Sequence, residues 1–137
     1  MAVLIDSSVF IGLERRGLPL QAIGAEIPSD EAVALSAITA SELLVGVHRA
    51  VTQAQRVMRE FLVEAILGTF PILPFDLQVA RIHARLLSEL VGTGQTIGTH
   101  DLIIASTALA YEYDVLTDNL RDFQKVPGLG VRQPRWE

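Results

Sequence analysis

Short apolar runs alternate with longer polar and apolar stretches along this chain. Three runs predict buried strands, at residues 2–5, 32–38 and 114–117. A fourth run, 70–75, carries two prolines, which is typical of an edge strand. The stretch VPGLGV is expected to lead into a last short strand.

The segments between these runs predict helices. Residues 52–67 have apolar positions at helical spacing, and Gly68 is a plausible end for that helix. A helix at 100–113 is apolar on nearly every face and is therefore expected to lie buried between layers. The other predicted helices cover 8–14, 19–26, 39–50, Asp76 to about 91, and 119–123, and residues 92–98 are predicted to form a loop.

The alternation of strands and helices predicts the fold class. Parallel strands joined by helices give an α/β protein with a mainly parallel central sheet and helices on both faces. The chain has 137 residues and no internal repeat or linker, which suits a single domain over residues 1–137.

Composition and charge narrow the function. Half of the residues are hydrophobic and a fifth are charged, as in a globular chain. No apolar run is long enough to span a membrane, and the lack of Cys excludes disulfides and thiolate metal sites, so we expect a cytoplasmic protein. The net charge of −5 argues mildly against nucleic-acid binding, although a carboxylate cluster that holds a cation would also lower it.

Acidic residues recur where strands end and helices begin. Asp6 follows the first strand, Glu42 lies early in a helix, and Asp101 opens the buried helix. Asp118, Asn119 and Asp122 follow the strand that ends at Thr117. Because these ends meet at one edge of a parallel sheet, we expect the acidic residues to converge there.

Each acidic residue alone has an ordinary structural explanation. Asp6 could cap a helix, Thr39 to Glu42 fits a capping box, and Asp101 suits a first helical turn. Asp118 and Asp122 are common turn residues, and His100 could be an ordinary exposed histidine. Together, however, converging carboxylates repel one another unless a cation lies between them, and oxygen ligands favour Mg²⁺ or Mn²⁺.

Four segments in order carry a resemblance to a known family. They are LIDSSVFI, SAITASELLVGV, IGTHDLIIASTALA and VLTDNLRDFQKVPGLGV. Together they resemble PIN-domain ribonucleases, and most closely the VapC-type toxins of toxin–antitoxin systems. The resemblance runs from residue 3 to about 134 and implies a PIN-like fold.

The resemblance also implies a function and roles for residues. It implies a metal-dependent endoribonuclease that hydrolyses RNA with a metal-activated water when its antitoxin is absent. It carries metal binding onto Asp6 and Asp101, with one or two ions left open. It carries the catalytic acidic role onto Glu42, which would help to position a second ion or the attacking water. Ser8 and Thr117 would be hydroxyls near the metal. Asn119 stands where the family often has an acid, so the fourth site residue stays open among Asn119, Asp118 and Asp122.

Partners and alternatives follow from the same features. We expect an RNA substrate of unspecified identity and a VapB-type antitoxin whose helix lies on the helices at 9–13 and 43–67 and whose Arg reaches the acids. Leftover apolar surface suggests a homodimer. The alternative function is a non-catalytic PIN-like module that binds RNA or protein. An aspartyl phosphatase or a receiver domain is disfavoured because Ser8 replaces a second Asp and the only Lys is Lys125.

Overall fold

A computed structural model describes residues 1–136 and shows a five-stranded parallel sheet. The order across the sheet is β3-β2-β1-β4-β5, and every neighbouring pair is parallel. The strands are β1 (Ala2–Ile5), β2 (Ala32–Ser36), β3 (Ile72–Leu73), β4 (Asp114–Leu116) and β5 (Val131–Arg132). The mainly parallel α/β fold predicted from the sequence is confirmed.

Helices connect the strands. They are α1 (Ser7–Arg16), α2 (Ala37–His48), α3 (Gln53–Thr69), α4 (Leu77–Gly92), α5 (Thr99–Tyr111) and α6 (Leu120–Phe123). The predicted helix at 19–26 is a 3-10 helix, Leu20–Ala25. In residues 1–136, no helix is long and apolar enough to cross a membrane.

The central strand β1 separates two apolar cores. Val3 and Ile5 point to one face, where they pack with buried side chains of α1, α2 and α3. Leu4 points to the other face, against α4 and α5. Because successive side chains of a strand alternate between its faces, four residues serve both cores. The prediction of helices on both faces is thereby confirmed.

The start of α2 differs from its prediction. Ser36 is the N-cap, and its side chain accepts a hydrogen bond from the Thr39 backbone N–H. The predicted helix start at Thr39 and the predicted capping box from Thr39 to Glu42 are therefore wrong. The apolar run 32–38 gave no sign of where the strand ended, because Ala37 and Ile38 suit either element. Glu42 lies in the second turn of α2, free of any capping role.

Two other boundaries shift for similar reasons. Helix α3 continues through Gly68 to Thr69, so the predicted stop at Gly68 is wrong. Pro71 follows soon afterwards and cannot extend a helix. The edge strand β3 keeps only two residues of the predicted 70–75. Asp76 does cap α4, as predicted, by accepting from the Val79 backbone N–H.

Candidate active site

Asp6 directly follows β1 at the carboxyl edge of the sheet. It occupies the N-cap position of α1, but its side chain makes no capping hydrogen bond. Instead its Oδ2 accepts from the hydroxyls of Ser8 and Thr117, each at 2.8 Å. The carboxylate is only 4% exposed. Asp6 is thus held by two hydroxyl donors, Ser8 from the first turn of α1 and Thr117 from just after β4, and not by a capping bond to the helix backbone.

Glu42 reaches the same edge from α2. Its Oε1 accepts from the Ser7 hydroxyl at 3.1 Å, and its Oε2 lies 3.3 Å from His100 Nδ1. Ser7 and His100 were not predicted to contact it. These contacts join the start of α1 and the start of α5 to α2 through one carboxylate.

Asp101 lies in the first turn of α5 and faces the other acids. Its Oδ2 accepts from Asn119 Nδ2 at 3.0 Å. Burial, followed by the negative charges of Asp6, Asp122 and Glu42, raises the pKa of Asp101 to about 6. The acidic residues that the sequence predicted to converge therefore lie close enough to disfavour one another's ionisation.

Asp122 belongs to this edge through contacts that the sequence did not indicate. Its Oδ2 accepts from the Gly98 backbone N–H at 3.3 Å, and its Oδ1 lies 3.2 Å from Lys125 Nζ. Lys125 is its ion-pair partner. Lys125 also donates to the Thr96 carbonyl at 2.6 Å, which ties α6 to the loop before α5.

Asp118 and Asn119 diverge, as expected for neighbours in the chain. The Asn119 amide points to Asp101, whereas Asp118 Oδ1 accepts from the Trp136 indole N–H at 3.3 Å. The Asp118 backbone N–H donates to Ser8 Oγ at 3.0 Å. Of the three candidates for the fourth site residue, Asn119 contacts Asp101 directly and Asp122 acts on its charge, while the Asp118 carboxylate bonds elsewhere.

The donor chemistry of the site suits a hard divalent cation. The side chains offer carboxylate, hydroxyl and amide oxygens, and the repulsion around Asp101 is the kind that a cation relieves. Within residues 1–136, no three Asp, Glu or His side chains form a ready-made ligand group. Asp6 and Asp101 are the best placed to hold an ion, and Glu42 is already shared between Ser7 and His100.

Comparison with known proteins identifies the family. The family model described as PIN domain matches residues 3–129. The chain belongs to the PIN-domain family. A ribonuclease VapC of Rickettsia bellii is 34% identical over 131 residues, covering 96% of this chain and 95% of that protein. The resemblance to VapC-type PIN domains is confirmed.

Solved structures agree with this assignment. The crystal structure of VapBC-5 from Mycobacterium tuberculosis, a member of the VapBC family of toxin–antitoxin systems, matches with a TM-score of 0.76 at 33% identity over 98% of each chain. The structure of VapBC2 from Rickettsia felis bound to a promoter DNA fragment matches with a TM-score of 0.86. That chain is 22% identical, over 98% of this chain and 99% of its own, and it supports the fold alone.

A groove of about 400 Å³ opens beside the acidic edge of this PIN domain. Its walls combine apolar side chains of α1, α2 and α3, among them Ile11, Leu43 and Leu62, with charged side chains of α1 and α3. Glu42 and Ser7 also line the groove, so it is continuous with the acidic edge. Beyond its lining residues, Met58 and Phe61 on α3 are 73% and 79% exposed.

Proposed function

We propose that this PIN domain is an endoribonuclease toxin that hydrolyses RNA phosphodiester bonds in a reaction that depends on Mg²⁺ or Mn²⁺. The observation that carries the proposal is the convergence of Asp6, Glu42 and Asp101 at one sheet edge, with the pKa of Asp101 raised to about 6. Such a cluster of carboxylates is electrostatically unfavourable unless a cation binds among them. The ribonuclease activity named for the VapC relatives supports the substrate class.

The residues of the acidic edge have different proposed roles in the reaction. Asp6 and Asp101 would hold the ion, and the hydroxyls of Ser8 and Thr117 keep the Asp6 carboxylate oriented. When bound, the ion supplies charge neutralisation at the phosphate and lowers the pKa of a water. Glu42 orients the attacking water by accepting its hydrogen bond, and Ser7 fixes the direction of that carboxylate. Asn119 donates its amide N–H to Asp101 and adds no fourth negative charge.

Cleavage of total RNA tests the proposal. The wild type is incubated with Mg²⁺, Mn²⁺, Ca²⁺ or excess EDTA, beside Asp6→Ala and Asp101→Asn. We expect cleavage with Mg²⁺ and Mn²⁺, little with Ca²⁺, and none with EDTA or in either variant. Asp30→Asn is the matched control, because Asp30 is exposed and lies before β2, away from the acidic edge.

Two results would contradict parts of the proposal. Undiminished cleavage in EDTA would exclude the metal dependence. Absence of cleavage under every condition, together with RNA binding, would favour the non-catalytic module. Thermal denaturation with Mn²⁺ separates the two questions, because an ion that binds only the folded protein raises Tm whether or not RNA is cut.

The partner proposed for the groove is a VapB-type antitoxin. An amphipathic helix would lay its apolar face on Ile11, Leu43 and Leu62. A cationic side chain of that partner, extended along the groove, would reach Glu42 and compensate its charge in place of a metal ion. The VapBC-5 structure from Mycobacterium tuberculosis, a toxin–antitoxin family member, supports this partner class.

A second copy of the chain is the other proposed partner. Exposed apolar side chains lie just before and along α4, including Phe75, Leu77 and Val91. Burial of such side chains in a symmetric interface would stabilise a homodimer. Light scattering of the purified protein measures its mass, and a monomer at micromolar concentration would contradict the homodimer.

A further inference from the structure

The backbone of the last described residues is anchored to the body of the protein by the Glu26 carboxylate. Glu26, just after the 3-10 helix, accepts hydrogen bonds from the backbone N–H groups of Arg135 at 3.0 Å and Trp136 at 3.1 Å. Trp136 adopts a φ of 59°, a left-handed conformation that is unfavourable for a bulky side chain. Contacts of the Trp136 side chain must therefore offset a local backbone cost.

The indole of Trp136 lies between α1 and the loop after β4. Its N–H donates to Asp118 Oδ1 at 3.3 Å, and the Arg16 guanidinium lies 4.4 Å from the ring centroid. The ring also passes over Gly12 of α1. A Cβ at Gly12 would lie 2.8 Å from Trp136 Cζ2 and 3.0 Å from Asp118 Oδ2, so this position leaves no room for a side chain.

The other side of the same loop belongs to the acidic edge. The Asp118 backbone N–H donates to Ser8 Oγ, while the flanking Thr117 and Asn119 side chains donate to Asp6 and Asp101. The backbone N–H of Asp118 is thus bonded to the site, and its carboxylate is bonded to Trp136. A shift of Asp118 toward solvent would move both neighbours that contact the candidate metal ligands.

We infer that Trp136, seated on Gly12 and bonded to Asp118, is a positioning residue that fixes the Thr117–Asn119 loop against Asp6 and Asp101. The expected effect on kcat rests on the proposed ribonuclease function. The contacts of Trp136 with Gly12 and Asp118 do not depend on that function. Trp136 does not touch the reacting atoms. It acts through Asp118, and the effect of losing it falls on the orientation of Asn119 and Thr117.

Gly12→Ala tests the seat of the indole. Alanine favours a helix relative to glycine, so α1 itself is not weakened, but the added methyl group displaces the ring. We expect kcat for RNA cleavage to fall about 10-fold with KM unchanged, because the reacting groups lose alignment while the RNA surface stays the same. Gly68→Ala in α3 is the matched control, because its added Cβ meets no atom within 4 Å.

Asp118 provides the second test, with a conservative rescue. Asp118→Ala removes the acceptor for the indole N–H, whereas Asp118→Asn keeps a carbonyl oxygen at that place. Trp136 is the only tryptophan of the chain, so one indole N–H resonance reports on the contact. We expect its hydrogen exchange to accelerate in Asp118→Ala and to stay slow in Asp118→Asn, and kcat to follow the same order.

The results separate the two levels of inference. If the wild type cleaves RNA and Gly12→Ala, Trp136→Phe and Asp118→Ala cleave it equally fast, Trp136 has no positioning role. If the wild type cleaves no RNA, the proposed function fails, and the side-chain amide resonances of Asn119 then decide the geometry. Shifts of those resonances in Gly12→Ala and not in Gly68→Ala support the positioning role, and unchanged resonances in both overturn it.

Discussion

At Asp6, two hydroxyl groups determine where the carboxylate points. Ser8 follows it by two residues, whereas Thr117 comes just after β4, and both donate to the same oxygen. A carboxylate oxygen that accepts two such hydrogen bonds is fixed in orientation. The residue can therefore present its other oxygen to a ligand without rearrangement.

Glu42→Gln distinguishes a catalytic from a structural glutamate. Because Ser36 caps α2, the substitution leaves the cap intact and we expect a near-normal Tm. Gln retains a carbonyl oxygen for the Ser7 hydroxyl but loses the charge, and we expect a loss of activity of at least about 100-fold. Tm and RNA cleavage are measured on the same preparation, and a large fall in Tm with cleavage retained would show that Glu42 is structural.

Asn119→Asp adds a charge where the site has an amide. The Nδ2 donor to Asp101 is lost and a fourth carboxylate takes its place, so we expect activity to be kept and Mn²⁺ to bind more tightly. Asn119→Ala should weaken Mn²⁺ binding several-fold. Calorimetric titration compares these variants with Asp118→Asn, whose altered group bonds to Trp136. If Asp118→Asn alone abolishes binding, Asp118 is the fourth ligand.

The raised pKa of Asp101 predicts how stability depends on pH without metal. The folded protein holds this proton up to a pKa of about 6, whereas the unfolded chain loses it near 3.8. As pH rises through that window, ionisation costs the folded state more, so this residue lowers stability. In EDTA, we expect Asp101→Asn to gain Tm relative to wild type from about pH 4 to about pH 6 and no further above it. A Tm difference independent of pH would contradict the raised pKa.

The sequence predicted the acids of the site better than their partners. The convergence of Asp6, Glu42 and Asp101 was predictable, because the carboxyl ends of strands and the starts of the following helices meet at one edge of a parallel sheet. The bonds from Asp122 to Gly98 and from Asp118 to Trp136 join segments distant in the chain. No local pattern encodes such pairs, since they depend on how α6 and the last residues pack.

At the scale of elements, α1, α2 and α3 form the groove. Because the groove lies beside the acidic residues, we expect that a substitution in it can abolish antitoxin binding and leave RNA cleavage intact. Ile11 is 43% exposed on the groove wall, so Ile11→Glu places a charge where the antitoxin helix would bury apolar surface. In co-expression with the adjacent upstream gene, we expect this variant to remain toxic while wild type is neutralised. Val51→Glu is the matched control, because Val51 is 91% exposed, precedes α3 and does not line the groove. Equal neutralisation of Ile11→Glu and wild type would contradict the groove assignment.

The sequence predicted which segments form strands and helices better than it predicted where each element begins and ends. Every predicted strand is present, and the apolar α5 lies buried between layers as expected. The start of α2 was not predictable, because its cap, Ser36, lies inside an apolar run. The end of α3 was not predictable from Gly68, because the helix continues through that glycine to Thr69. Two-residue strands such as β3 exist only through their neighbours in the sheet.

At the scale of the whole molecule, Arg132 joins three distant segments. On β5, it binds the carboxylate of Glu31, which precedes β2, and that of Asp114, which begins β4. The Glu31 side chain is 2% exposed, so loss of the guanidinium leaves a buried charge without its partner. We expect Arg132→Ala to lower the free energy of unfolding by about 3 kcal/mol.

Urea denaturation measures that loss, with Arg85→Ala as the control because Arg85 is exposed on α4. Mn²⁺ binding by folded Arg132→Ala should be unchanged, because Glu31 and Asp114 lie at the amino ends of their strands, across the sheet from the acidic edge. Unfolding free energies equal to wild type would show that Arg132 does not stabilise the fold.

The hydrogen bond between Asp6 and Thr117 also has a consequence during translation. It joins residues that are 111 positions apart, and β1 cannot pair with β4 before residues 114–116 exist. A ribosome therefore makes most of the chain before the acidic edge can assemble, and a nascent or prematurely terminated product has no complete site. For a ribonuclease, this order means that the ability to cleave RNA arises only after β4 and Thr117 have been synthesised.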